Sequence, residues 1–410
     1  MVAESFMDFL IASRRQRPGN DPIFALNAEA KQRIAAGEDV VNATIGALLD
    51  DEGNLATMPA VVEALRQVDP RVGAGYAPIP GRPDFRQAVI EDLLTGSPLH
   101  DVSVCVSTPG GSGALRMAMD DFLEPGQTVL TGSFYWGPYE TLADESGRKL
   151  TTFNMFGEDG RFDTTALDAS MGELMTEQGR CLLILNTPCH NPTGYSLDGN
   201  EWKAASEVLR KHAKSGPVIV LLDVAYAYYA PEALQEAVSA LADLADELLV
   251  LFAWSASKSF AQYGLRVGAL VASVPDATQR VQINNAITFS CRGLWSNCNA
   301  GGQAGITRVL TDPVLSQQVK TEREALVEML AKRVSTWNEL AGPKERIVYP
   351  RYQGGFFTTV FCDDPPAKAA ALREKGIYVI PTRGALRVAM CAVNEGQVGR
   401  IVDGLDAVLA

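Results

Sequence analysis

Lys258 stands in Trp254-Ser-Ala-Ser-Lys258-Ser-Phe-Ala-Gln-Tyr-Gly-Leu-Arg266-Val-Gly268, between the apolar runs Leu248–Ala253 and Gly268–Ala272. Lysine is rarely placed between buried strands, because an ammonium group taken out of water is costly. Desolvation and a neighbouring cation both favour the neutral amine, lowering its pKa from about 10.4 toward neutrality. Such an amine is a nucleophile that forms imines with carbonyl compounds. The alternative is a solvated loop lysine, and the flanking small hydroxyl residues and apolar runs favour the first reading. Asp223 poses the complementary question at the end of the run Val218–Leu222, where it opens Asp223-Val-Ala-Tyr226. A carboxylate there calls for a cation, which is either a structural Arg or Lys or a protonated heterocycle.

Two more segments carry groups of this kind. Thr108-Pro-Gly-Gly-Ser-Gly113 follows the run Val102–Val106 and precedes a helical stripe. It is either a simple strand-to-helix turn or a glycine loop whose backbone N–H groups face an anion at a helix N-terminus. Asn186-Thr-Pro-Cys-His-Asn191-Pro-Thr-Gly194 follows Leu182–Leu185, and its prolines fix an irregular backbone. With three His in the whole chain, a histidine-built metal site or a Ser-His-Asp triad lacks material, so chemistry falls to Lys, Asp, Tyr and Arg.

The elements that must position these groups alternate. Short β-rich runs at Val102–Val106, Thr128–Leu130, Leu182–Leu185, Val218–Leu222, Leu248–Ala253 and Gly268–Ala272 are separated by helical patterns. That alternation predicts a mainly parallel α/β sheet, whose ligands bind beyond the carboxyl ends of its strands. Leu115, Met119, Phe122 and Leu123 form one helical stripe, and Asp198-x-x-Glu201 reads as a capped helix start. A long helix from about Val314 to Leu340 leads out of the sheet, and Ile401, Leu405 and Val408 mark a terminal helix. We expect a large domain over residues 56–319 and a smaller α/β domain built from both chain ends, 1–55 and 320–410.

Composition excludes several classes. The chain has 410 residues, 47% of them hydrophobic and 21% charged, which is globular rather than disordered. The net charge of −13 argues against a nucleic-acid binder. The run Val218–Ala230 is cut by Asp223, so no membrane span is expected. Glu4 and Asp8 precede the first basic cluster, the wrong order for a secretory signal. Seven Cys without a CxxC pair point to free thiols and a cytoplasmic setting.

Jointly, these segments resemble the aspartate/aromatic aminotransferase family of pyridoxal-phosphate-dependent enzymes of fold type I. The resemblance rests on Asn-Pro-Thr-Gly at 191–194, Asp-x-Ala-Tyr at 223–226 and Ser-x-Ser-Lys-(x)7-Arg-x-Gly at 255–268. It extends to Val41-Asn-Ala-Thr-Ile-Gly46, Gly75-Tyr76-Ala-Pro-Ile-Pro-Gly81, Gly111-Ser112-Gly-Ala-Leu-Arg116 and Phe134-Tyr-Trp136-Gly137. The fold it implies is a seven-stranded, mainly parallel sheet sandwiched by helices, with a smaller domain beside it.

The resemblance also implies roles. Lys258 would hold the cofactor as an internal aldimine and carry the transferred proton. Asp223 would pair with the ring nitrogen, Tyr226 and Asn191 with the ring oxygen, and Trp136 would stack on the ring. Gly111, Ser112, Ser255, Ser257 and Arg266 would hold the phosphate, with Tyr76 reaching it from the partner of a homodimer. Arg387 would clamp the substrate α-carboxylate, and Gly46 would approach the substrate. Arg292 would bind a distal carboxylate across the dimer, the alternative being a structural ion pair at a helix end.

Three departures from the family pattern bear on the substrate. Cys298-Asn299 follows Ser296-Asn297 where the family has prolines. Asn186 stands where dicarboxylate enzymes often carry a His, and Pro138-Tyr139 replaces a more polar pair. Tyr135, Tyr139 and Trp295 are compatible with aromatic substrates. The implied activity is transfer of the amino group of an acidic or aromatic L-amino acid to a 2-oxo acid such as 2-oxoglutarate. A carbon–sulfur β-lyase on the same scaffold and a non-catalytic cofactor-binding sensor are the alternatives.

Overall fold

Each of the six apolar runs forms a strand, and a seventh strand joins them in one sheet. A computed structural model describes residues 9–19 and 22–410, so Glu4 and Asp8 lie outside the described residues. The strands are β1 (Ser103–Thr108), β2 (Thr128–Gly132), β3 (Lys149–Phe153), β4 (Cys181–Asn186), β5 (Val218–Asp223), β6 (Leu249–Ser255) and β7 (Gly268–Ser273). Their order is β1-β7-β6-β5-β4-β2-β3; β7 runs antiparallel to both neighbours and the remaining pairs are parallel. The strand the apolar runs did not reveal is β3, at the sheet edge. Its sequence Lys-Leu-Thr-Thr-Phe is polar because only its last residue is fully buried.

Every residue of β4, β5 and β7 is buried, as expected of strands covered on both faces. The two-residue side-chain period divides them between two cores. Leu183, Leu185, Val220, Leu222, Val250 and Phe252 pack on one face. Leu182, Ile184, Ile219, Leu221, Leu251 and Ala253 pack on the other.

Register delivers the polar residues to one edge. Asn186 lies opposite Asp223, Asp223 opposite Ala253, and Ser255 and Thr108 both opposite Gly268. Residues far apart in sequence therefore finish at the same height, at the carboxyl ends of β4, β5 and β6.

Helices flank this edge. We number them α1 (Pro22–Ala35), α2 (Gly110–Phe122), α3 (Pro138–Glu145), α4 (Gly199–Ala213), α5 (Ala256–Ser259), α6 (Ala277–Leu294), α7 (Pro313–Ala341) and α8 (Glu395–Val408). A separate core packs Leu330, Val334 and Trp337 of α7 against Ile401 and Leu405 of α8. The same core takes in a three-stranded antiparallel sheet of β8 (Phe357–Phe361), β9 (Ile380–Thr382) and β10 (Ala385–Ala389). The 29-residue α7 contributes to both cores, since Val319 packs with the large sheet. Val41–Asn42 pairs in parallel with Ile377–Tyr378 in a separate two-stranded sheet, bringing the segment before Gly46 to the C-terminal part of the chain.

Asp198 is the N-cap of α4 in a full capping box with Glu201. It also accepts hydrogen bonds from Arg161 (2.6 Å) and Arg351 (2.9 Å), and Arg351 reaches Glu201 as well. Burial raises the Asp198 carboxyl, but the Glu201 N–H and the two guanidinium groups outweigh it and hold it below its ordinary 3.8. A depressed folded pKa gives stability that is complete above that ordinary value and lost as pH falls below it. Asp198→Ala should therefore destabilise the fold by about 1–2 kcal/mol at neutral pH. Thermal melts should show a lowered midpoint near neutrality and a gap from the parent that narrows in acid. Melts that coincide at all pH values would remove this role.

Candidate active site

The turn after β4 is pinned from inside. The Asn186 side chain donates to the main-chain carbonyl of Asp223 (2.9 Å) and accepts the Asn191 N–H (2.6 Å). This places Asn191 so that its Nδ2 reaches the Tyr226 hydroxyl at 3.4 Å. Tyr226 is buried, and burial pushes its phenol well above 10.

Asp223 closes β5 and is buried. Its Oδ2 accepts the Tyr139 hydroxyl at 2.6 Å, and Oδ1 accepts the Ala225 N–H at 3.2 Å. Burial raises this carboxyl above its ordinary 3.8, while the Tyr139 hydrogen bond and the charge of Lys258 favour the ionised form. Lys258 lies on α5, whose N-cap Ser255 accepts the Ser257 N–H. Desolvation lowers the Lys258 amine below 10.5; Asp223 opposes that shift and Arg266 adds to it. The amine lies 5.6 Å from the centre of the Tyr226 ring.

Behind the amine, two glycines make room for a guanidinium. Gly110 has φ +73°, and a Cβ there would stand 2.3 Å from Arg266 Nη2. A Cβ on Gly268 would stand 2.4 Å from the Gly110 carbonyl carbon. The Arg266 side chain thus crosses the start of α2, donating to the Pro109 carbonyl (3.1 Å) and to Ser257 Oγ (3.3 Å). No side chain caps the N-terminus of α2. Its first turn, at Gly111 and Ser112, joins Arg266 and Ser257 in a corner suited to an anion.

These groups face one cavity of about 230 Å³. Trp136 and Asn191 line it and also line an adjoining cleft of about 530 Å³. The outer cleft is walled by Ile23, Leu26 and Tyr135 and carries two guanidinium groups, Arg383 and Arg387. Arg387 is 7% exposed, donates to the Thr44 carbonyl (2.5 Å) and lies over the Phe357 ring at 4.5 Å. A Cβ on Gly46 would meet that ring at 2.8 Å, so glycine permits the approach. A larger cleft of about 620 Å³ beside Phe260 and Arg323 holds none of these residues, so size does not locate the chemistry.

Tyr76 and Arg292 line neither space. Tyr76 is 93% exposed, and the exposed Arg292 donates to Ser296 Oγ at 2.8 Å. Trp295 also lines neither. One reading needs correction: Tyr139, read as a neighbour for an aromatic substrate, is fully buried with its hydroxyl on Asp223. The pair is 84 positions apart, a separation that carries no local sequence signal. Asn186 and Arg383 are two further polar residues here to which sequence reasoning assigned no role.

Comparison with known proteins gives a consistent set. The family model described as aminotransferase class I and II matches residues 38–405. An aromatic-amino-acid aminotransferase of Pseudomonas aeruginosa is 31% identical over 288 residues, covering 69% of this chain and 70% of that protein. An aspartate aminotransferase of the same organism is 25% identical, covering 95% of this chain and 97% of its own. The crystal structure of an aminotransferase from Anaerococcus prevotii superimposes with a TM-score of 0.93 at 30% identity, covering 98% of this chain and 99% of that one.

The Lys258–Asp223 coupling is directly testable. Asp223→Asn removes the charge that raises the Lys258 pKa, so the amine should titrate at lower pH than in the parent. The rate of Lys258 labelling by a small acylating reagent, followed against pH by mass spectrometry, measures this. An unchanged midpoint would show that the two groups do not interact.

Proposed function

Because the chain belongs to the class I and II aminotransferases, we propose that its 230 Å³ cavity binds pyridoxal 5'-phosphate and that Lys258 is the catalytic amine. The observation that carries this reading is Lys258 and Asp223 facing one cavity whose third corner is an anion site. The donor set fits the group: a planar heterocycle matches Trp136, a ring nitrogen matches a buried carboxylate, and a phosphate matches the start of α2. Tyr226 and Asn191 are placed to share a ring oxygen. When bound, the cofactor supplies an aldehyde that accepts the amino group and a ring that draws electrons from the substrate α-carbon.

The chain's own residues do the rest. Lys258 Nζ takes and returns the proton at the substrate α-carbon, which needs an amine that is neutral near working pH, as desolvation favours. Asp223 would pair with the ring nitrogen and favour its protonated form. Arg387, held by Thr44 and by Phe357, orients the α-carboxylate through a planar two-pronged contact. Trp136, between the two spaces, sets the plane against which the substrate lies.

For substrate, we infer an acidic or aromatic L-amino acid as donor and a 2-oxo acid such as 2-oxoglutarate as acceptor. The apolar walls at Ile23, Leu26 and Tyr135 support the aromatic donor; Arg383 in the same cleft supports the acidic one, as does the distal-carboxylate role that the family resemblance implies for Arg292. The names of the relatives cover both classes. The lyase and sensor alternatives find no support among these relatives. The exposure of Tyr76 and Arg292 is consistent with a homodimer in which each completes the partner's site. Among the described residues no helix is long and apolar enough to cross a membrane. The unpaired state of all seven cysteines supports a cytoplasmic location.

Lys258→Ala should lower turnover by more than about 10³-fold with the fold intact. A stopped assay with a panel of amino donors and 2-oxoglutarate measures it, and near-parent activity would reject the assignment. In the same panel, Arg292→Ala should weaken acidic donors by roughly 10-fold or more and spare aromatic ones. Equal loss for every donor would remove the distal-carboxylate role.

A further inference from the structure

The hydrogen bonds of Asp223 single out one side chain. Asn186 reaches only the main-chain carbonyl of Asp223, and the Ala225 N–H is the weaker donor at 3.2 Å. Tyr139 is the one side-chain donor to this carboxylate among the described residues, at 2.6 Å. That length falls in the range of charge-assisted O–H···O⁻ bonds, about 2.5–2.7 Å, which are roughly twice as strong as neutral ones. Burial keeps the phenol protonated by raising it well above 10, so it remains a donor throughout the working range.

The position of Tyr139 follows from local structure. Pro138 occupies the first turn of α3, and the Tyr139 N–H closes back on the Trp136 carbonyl at 2.9 Å. The tyrosine ring then meets the Trp136 indole edge to face, with centroids 5.7 Å apart and planes at 88°. One buried side chain thus touches both Asp223 and Trp136, the two residues that the proposed function places at the edge and on the face of the cofactor ring.

We propose that Tyr139 is a positioning residue for the cofactor ring: its hydroxyl holds Asp223 ionised and aimed at the ring nitrogen, and its ring edge fixes the plane of Trp136. This rests on the cofactor reading above and adds to it a residue that the motifs did not assign. Tyr139 acts through Asp223 and Trp136 and touches neither substrate nor cofactor. The division of labour is testable, because Tyr139→Phe deletes only the donor and keeps the edge contact and the volume.

The experiment titrates apo protein with pyridoxal 5'-phosphate, reading tryptophan fluorescence and the visible absorbance of the loaded enzyme. Tyr139→Phe should bind about 10-fold or more weakly, the loss expected for one charge-assisted hydrogen bond. The pH midpoint of the visible absorbance should move up, because a less protonated ring leaves the proton on the Lys258 nitrogen more tightly held. Tyr139→His, which restores a donor, should recover part of both effects. On an Asp223→Ala background, Tyr139→Phe should add less than about twofold, since its partner is gone.

The outcomes separate. If Asp223→Ala binds the cofactor as the parent does, the cofactor reading itself fails. If Asp223→Ala weakens binding while Tyr139→Phe matches the parent in affinity and midpoint, the positioning role fails alone. A Tyr139→Phe loss of equal size on both backgrounds, with a lowered apo melting midpoint, would mark Tyr139 as structural and overturn the proposal. Should Tyr139→Phe give no folded protein, Tyr139→His decides: parent-like affinity and midpoint support donation to Asp223, and loss of both overturns it.

Discussion

Two groups of opposite charge, Lys258 and Asp223, are taken out of water at the end of one sheet, and the rest of the site answers that constraint. Each alone would prefer to be neutral: burial drives the carboxyl up and the amine down. They act on each other through space, because the hydrogen bonds of Asp223 go to Tyr139 and Ala225 instead. A carboxylate buried this way calls for a compensating cation or donors. Burial of the lysine favours its neutral form.

The sheet makes this arrangement by register. Parallel neighbours bring Asn186 and Asp223 to the same height, and the antiparallel β7 returns Gly268 beside Ser255 and Thr108. Gly110 and Gly268 then let backbones approach closely enough for Arg266 to bridge the start of α2 and Ser257. The second core contributes Arg387 and Phe357 on the far side of Trp136. One long helix, α7, packs into both the second core and the large-sheet core that holds Val319.

Much of this was legible in the sequence because the physics was local. Apolar runs ending in a single polar residue marked β4, β5 and β6 and named Asp223 and Lys258. The capping box at Asp198 and Glu201 marked the start of α4. What the sequence hid depended on distant packing. β3 escaped because an edge strand need not be apolar, and Lys-Leu-Thr-Thr-Phe reads as surface. Tyr139 is the second residue of its helix, just after Trp-Gly-Pro, where nothing announces full burial or a partner on a strand. Asn186 read as a departure from a family pattern, and it proves to hold the turn that carries Asn191. Tyr76 and Arg292 were named by motif alone; within one chain neither lines the cavity or the adjoining cleft.

The most direct test of the central claim is chemical. Purified protein is saturated with pyridoxal 5'-phosphate, reduced with borohydride, digested and mapped by mass spectrometry. This account predicts one stoichiometric reduced adduct, on the peptide that carries Lys258. An adduct spread over surface lysines, or none, would contradict it.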